Sequence, residues 1–530
     1  MIRLRQIRIL VDEDSIEVVI NKCAKKLKVN VNAISNCRII KKSIDARKKD
    51  EICYIYTVDV EVADEDGILK RCHNKDVLKS DYREYKIPKF GKRQLQHRPV
   101  IVGSGPSGLF CAYMLASCGY CPIIIERGKM VEERVKDVSD FWNFGNLEIN
   151  SNVQFGEGGA GTFSDGKLNT LIKDSGQRIQ KVLEIFVLNG AKEEILYENK
   201  PHIGTDMLRV IIKNMREKII AMGGEFRFNT LMTNINIVND EVVSIIVNNR
   251  EEIPVDVLVL AIGHSARDTF RLLYAKGFNM ESKPFAIGVR VQHQQEMINF
   301  SQYGVIRNER LKNASYKLTH RARNGRGVYT FCMCPGGYVV NASSELRRLA
   351  INGMSNYNRD SGNANSAIVV TVDKDDYGTG VLDGMLWQEK LEEKCYFACD
   401  GKIPTSLMKD YFSDRVSLDY GKVVPVFKGN YEFYNINKLL PRAVNEAIKD
   451  GICAFDKKIN GYKMDDAIVS VIESRTSSPI RIIRDDLGES NYKGVYPIGE
   501  GCGYAGGITS SAVDGLVAFE KIVSLYKGIN

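Results

Sequence analysis

The chain has 530 residues, too many for a single core, so roughly two to four domains are expected. Its 44% hydrophobic and 26% charged residues suit a soluble globular protein, and no apolar run approaches the roughly 18 residues that a membrane span needs. The formal charge of +8 sits in residues 1–100, where 23 Lys and Arg face 15 Asp and Glu, and the remainder is balanced.

The opening residues, MIRLRQIRILVDEDSIEVV, place acids where a secretory leader needs an apolar stretch. Thirteen scattered cysteines fit a reducing compartment, so the expected location is the cytoplasm. In this basic region IRLRQIRIL alternates as a strand, Asp14 to Leu27 reads as a helix, and SNCRIIKKSI and EICYIYTVDVEV read as strands. A second helix near 66–79 and a last strand in REYKIP complete a βαββαβ order. That order predicts a small ferredoxin-like α+β module over 1–95, followed by a polar linker near PKFGKRQLQHR. Its charge is a solvated face on the simpler reading, and a docking surface for RNA or an acidic protein on the alternative.

From Arg98 the texture changes to strand, glycine turn, helix and strand: PVIVGSGPSGLFCAYMLASCGYCPIIIERG. Gly103, Gly105 and Gly108 form G-x-G-x-x-G after the strand, with Ser104, Pro106 and Ser107 between them. The first glycine permits a sharp turn, the second a close approach of backbone to a pyrophosphate, and the third close packing of helix on strand. Glu126 ends the next strand, where a carboxylate accepts from ribose hydroxyls, and Arg127 flanks the adenosine. Cys118-Gly-Tyr-Cys121 closes a helix rather than opening one, so its thiols lack the dipole that activates a redox pair.

Three further segments favour a flavin over a nicotinamide nucleotide. NVQFGEGGAGTFSDGKLNT, residues 152–170, offers Gly158, Gly159 and Gly161 to skirt a planar group, with Thr162 as a hydroxyl donor. VDVLVLAIGHSARDTF breaks at Ala261-Ile262-Gly263, similar to the Ala-Thr-Gly strand end of two-domain flavoproteins. GVYPIGEGCGYAGGITSSAVDGLVAFE ends a strand in Gly499-Glu500, which resembles the Gly-Asp whose carboxylate holds the ribityl chain in glutathione-reductase-like proteins. Gly506, Gly507 and the helix from Ile508 then face the pyrimidine edge of a flavin, where a helix N-terminus favours the reduced anion.

Together with KPFAIGVRVQH, FCMCPGG, NGMSNYNRDSGNANSA and SRTSSPIRI, these motifs resemble a bacterial family of FAD-dependent dehydrogenases of largely unassigned substrate. The resemblance spans nearly the whole chain. It implies bound FAD, a discontinuous Rossmann-like FAD-binding domain (96–284 and 456–530) and an interposed α+β substrate domain (285–455). The resemblance supplies no reaction; the activity expected of a bound flavin is hydride transfer through N5 to or from a small molecule, with no membrane partner.

Residues expected near the ring are Lys167, a cation that would raise flavin electrophilicity, and Arg475, a bidentate clamp for a substrate carboxylate. Cys332 and Cys334 share a strand face by alternation, and Cys334 is the thiol candidate. No histidines lie near enough in sequence to suggest a metal. His264 follows a strand-ending glycine and is a weaker general-base candidate. No separate NAD(P)H domain is expected, so electrons enter from NAD(P)H docking transiently or from the substrate itself. A macromolecule-directed flavoprotein and a non-catalytic flavin redox sensor are the alternatives.

Overall fold

The computed structural model describes residues 1–528. The triplets Val100–Val102, Ile123–Ile125, Leu258–Leu260 and Val495–Pro497 are buried at every position, a pattern that a strand adopts inside a sheet covered on both faces. They pair in parallel in the order 495–258–100–123, with Glu225–Arg227 at the edge. On one face lies the helix Pro106–Ser117, whose sequence has no polar side and which is buried from Ser107 to Ala116. The helices Thr205–Ala221 and Ile508–Leu525 pack against it. The other face is covered by an antiparallel meander of Met232–Val238, Glu241–Val247 and Glu251–Pro254 together with Phe270 and Leu273.

A second sheet of seven strands is antiparallel except at one edge. In spatial order its strands are Thr319–Arg321, Gly327–Cys334, Asn363–Val372, Phe285–Gln294, Ile468–Glu473, Ile403–Leu407 and Tyr431–Phe433. The helix Arg442–Asp456 closes its core. The return to the parallel sheet expected at residue 456 therefore comes later. Ile468–Glu473 is wholly buried between two strands of the second sheet, and the chain rejoins the parallel sheet only at Val495.

The first four strands form a separate antiparallel sheet in the order Ile34–Asp45, Cys53–Val62, Ile2–Leu10, Val77–Lys79. The helix Ile16–Leu27, capped by Ser15 Oγ on the Val18 N–H, connects the first strand to the second, and Glu65–Arg71 connects the third to the fourth. The last strand is Val77–Lys79, not REYKIP. Residues 83–88 have no regular structure, because Pro88 lacks a donor and Tyr85 is drawn to Glu520, to which its hydroxyl donates at 3.0 Å.

This sheet is seated on the rest of the chain. Lys42 N donates to Tyr197 O and Asn199 N to Lys42 O, while Tyr54 Oη donates to Arg310 O. Farther on, Arg93–Gln94 pairs in parallel with Tyr526–Lys527. Gly91 touches the same C-terminal segment so closely that a Cβ would lie 2.1 Å from Leu525 O. Among the described residues no helix is long and apolar enough to cross a membrane.

Candidate functional site

A cleft of about 1080 Å³ opens at the carboxyl ends of the parallel strands and is closed on its far side by the seven-stranded sheet. That lies at the top of the usual ~300–1,000 Å³ range for small-molecule sites and leaves room for an extended ligand. Gly103 turns the chain out of its strand at φ +100, and a Cβ there would meet Ala261 O at 2.4 Å. A Cβ on Gly108 would meet Gly103 O at 2.0 Å, so both positions are closed to any side chain.

Two helices point their N-termini into this cleft. The helix Pro106–Ser117 starts from Gly105 and Ile508–Leu525 from Gly507, neither with a side-chain cap, so their first amides are open to a ligand. Gly103, Gly105, Pro106 and Ser107 line the cleft together with Gly506, Gly507 and Ile508. Gly159 and Gly161 lie between the two ends; a Cβ on Gly161 would be 3.2 Å from Ile508 Cγ1 and 3.7 Å from Pro106 Cγ. The fully buried Arg134 holds this glycine turn from behind by donating to the carbonyls of Asn152, Val153, Gly156, Glu157 and Gly159.

Glu126 lines the cleft, yet its acceptor sites are filled. Oε2 accepts from Ser104 N and Oγ at 3.0 and 2.7 Å, and Oε1 from Gly128 N and Gly156 N at 2.9 and 3.1 Å. It ties the two glycine turns together, and a ribose hydroxyl would reach it by displacing Ser104 Oγ. Arg127 lines the same end; it pairs with Asp268 at 2.8 Å and lies 4.3 Å over the Phe155 ring. Ala261, Gly263 and Glu500 also line the cleft, Ala261 beside the Gly103 turn. Ser104, Gly108, Gly158, Thr162 and Gly499 stand behind the wall. Thr162 Oγ1 donates to Glu157 O and is not offered to the cleft, Gly158 N donates to Ser104 O, and Gly499 N donates to Asp514.

The three residues expected to do chemistry separate. Lys167 lines the cleft; its Nζ is shut off from solvent without a hydrogen-bond partner, 3.9 Å from Asp165 Oδ2. Asp165 is itself engaged by Arg359 and Ser355. Arg475 also lines the cleft, but its fork is not available for a substrate. Nε and Nη2 donate to Glu392 at 3.0 and 2.9 Å, and Nη1 donates to Ser265 and Ser344. Cys334 does not line the cleft; Cys332 does. A register shift between Phe331 and Cys334, with Cys332 at φ +45, breaks the alternation expected of the strand. Burial pushes the Cys334 thiol up to about 12 and raises Cys332 as well, so neither is a ready thiolate.

Sequence reasoning missed the pair His264–Glu500, whose Nδ1···Oε1 distance is 2.9 Å across 236 residues of sequence. His264 Nε2 is shut off from solvent with no protein partner, and the ring lines the cleft. Lys200, Asn352 and Ser315–Lys317 also line it, from segments with no motif to mark them.

Residues 284–476 match the family model described as FAD-dependent protein, C-terminal domain-like, and residues 1–61 match a domain of unknown function, DUF8436. Among solved structures, glycine oxidase from Geobacillus kaustophilus aligns with 80% of this chain and 94% of its own at 11% identity and a TM-score of 0.35. The E. coli quinol fumarate reductase FrdA aligns with 82% of this chain and 70% of its own at 11% identity and a TM-score of 0.36. The halogenase PltM, solved with phloroglucinol and FAD, aligns with 81% of this chain and 68% of its own at 11% identity and a TM-score of 0.37. A protein of Clostridium beijerinckii described as uncharacterized is 47% identical over 531 residues, covering 99% of each chain. With that identity from end to end, and with the FAD-dependent domain at its centre, the chain belongs to the same family as the C. beijerinckii protein.

Proposed function

We propose that the chain is a FAD-dependent oxidoreductase with one FAD lying along the cleft. In this reading the parallel sheet and its two helices form a discontinuous Rossmann-like cofactor domain, and the seven-stranded sheet faces the substrate. The pyrophosphate rests on the open end of the Pro106 helix and the flavin on Gly506–Ile508. One observation carries the proposal: two uncapped helix N-termini about four hundred residues apart open on a single cleft, with Gly159 and Gly161 between them.

The residues present suit such a group. A Cβ on Gly263, Gly506 or Gly507 would meet nothing within 4 Å, so backbone at these places is free to lie against a flat ligand. Lys167 Nζ and His264 Nε2 are buried polar atoms without a hydrogen-bond partner: a ligand acceptor would satisfy the first and, since Nδ1 donates to Glu500, a ligand donor the second. When bound, FAD supplies hydride-transfer chemistry. The chain supplies the rest. The Ile508 helix favours negative charge at its N-terminus by about 0.3–1 kcal/mol, rising to ~2 where partly buried. Glu500 fixes the His264 ring through Nδ1 and leaves Nε2 without a protein partner. Electrons arrive from NAD(P)H or from the substrate.

Purification under native conditions tests the proposal. The protein is expected to be yellow, with about one FAD per chain. A colourless protein that takes up no FAD on incubation would refute it. Anaerobic bleaching of the bound flavin by NADH or NADPH identifies the donor.

A further inference from the structure

Past the two helix ends the cleft continues between segment 165–172 on one side and Ser315–Lys317, Thr330–Met333 and Asn352 on the other. The first side is set by a short antiparallel contact. Lys167 pairs with His202, Leu168 N donates to Pro201 O at 2.9 Å, and Ile203 N donates to Gly166 O at 3.0 Å. Alternation then puts Lys200 on the same face as Lys167, farther out at the mouth, where its Nζ lies 3.2 Å from Ser315 Oγ.

Charge in this lobe is unbalanced. The acids lining the cleft are Glu126, Asp165 and Glu500, and each is already engaged: by four donors, by Arg359 and Ser355, and by His264. Asp165 is shared between Arg359 and, at 3.9 Å, Lys167, so this cluster keeps a net positive charge and Lys167 Nζ has an ion pair but no hydrogen bond, which an added anion would supply. The opposite wall supplies no counter-ion. It presents Phe331, Cys332 and the buried Met333, while Leu171 and Ile172 form an exposed apolar rim beside Lys200. Burial raises the Cys332 thiol, and the charge of Lys167 opposes that rise. The open end of the Ile508 helix borders this lobe, where Thr509 Oγ1 donates to Leu168 O at 2.6 Å, and it adds its positive pole to the lysines.

We infer that this lobe takes a substrate with a carboxylate on an apolar body, the carboxylate meeting Lys167 with Lys200 as an outer contact and the body lying along Phe331 and Met333. The inference names a substrate class for the cofactor cleft proposed above and rests on that reading. Lys167, with Lys200 and Lys317 farther out, gives the lobe a positive charge that suits a carboxylate. A polyphosphate or a sugar would leave the apolar wall unused and its own hydroxyls unpaired.

The test is calorimetric titration of the FAD-loaded protein with benzoate and octanoate, beside benzyl alcohol and phenyl phosphate, with flavin content read separately by absorbance. The acids are expected to bind and the alcohol not. Lys167→Met should weaken acid binding about tenfold, the value of one charge-assisted hydrogen bond, and Lys167→Arg should largely restore it. Lys200→Met should weaken it by roughly threefold and flatten its salt dependence. If Lys167→Met fails to fold, Lys200→Met and the salt dependence decide. Flavin-replete protein that ignores both acids, variants that bind them as the parent does, or tighter binding of phenyl phosphate than of benzoate would each overturn the assignment. Acid binding by a protein that takes up no flavin would instead sink the cofactor reading and leave the lysine site standing.

Discussion

Glu157 shows how much the glycine turn depends on what lies behind it. The side chain is fully buried; Oε2 accepts from Val131 N and from Arg216 at 2.7 Å, while Oε1 has no partner. Burial pushes its carboxyl up to about 7, against Arg216, which is shared with Glu132. A carboxyl whose folded pKa lies above the unfolded value of about 4.3 favours folding while protonated, so its contribution is complete below that value and is lost as pH rises through about 7. Glu157→Gln keeps the acceptor for Val131 and removes the titration. Between pH 5 and 8 the parent should lose on the order of 2–4 kcal/mol relative to this variant, measured by denaturant unfolding at each pH. Equal pH slopes for the two proteins would contradict the assignment.

At the scale of elements, the cleft depends on two helices lying unusually close. Gly515 on the Ile508 helix packs on the Pro106 helix, and a Cβ there would sit 2.3 Å from Ser107 O. Gly515→Ala should therefore push the helices apart, cost about 1–3 kcal/mol and loosen FAD retention, read from thermal unfolding and from flavin lost on gel filtration. A variant as stable and as yellow as the parent would rule this out. The glycine turns and their strands were legible because local chemistry writes them: a steric need at Gly103 and Gly108, apolar triplets, and a helix with no polar side. The rest was hidden for equally physical reasons. The strand at 468–473 reads the same whichever sheet receives it, since both sheets bury both faces. A single bulge at Cys332 reversed which thiol meets the cleft. Arg475 looked like a free fork because its partner Glu392 lies 83 residues away.

Across the whole molecule, one buried ionic cluster joins the two large sheets. Arg267 and Ser265 come from the segment after the parallel strand 258–260, Glu392 from a helix beside the seven-stranded sheet, and Arg475 from the end of strand 468–473. Burial opposes ionisation of Glu392, but Arg267 and Arg475 outweigh it and hold its carboxyl well below the usual range. The favourable contribution is therefore present above the unfolded value and is lost only as pH falls far into acid. Glu392→Ala should destabilise the protein by about 3–5 kcal/mol, because it leaves two arginines in the interior with only Glu345 and hydroxyls. Thermal unfolding that matches the parent would show the cluster to be dispensable. The pairing of Arg93–Gln94 with Tyr526–Lys527 bears on how the molecule is made. Because Gly506–Ser511 supply one wall of the cleft, the 98–127 turn alone does not enclose it. Closing this cleft is therefore a matter of long-range folding, in which residues 93–94 and 526–527 come together, and not a property of the turn by itself.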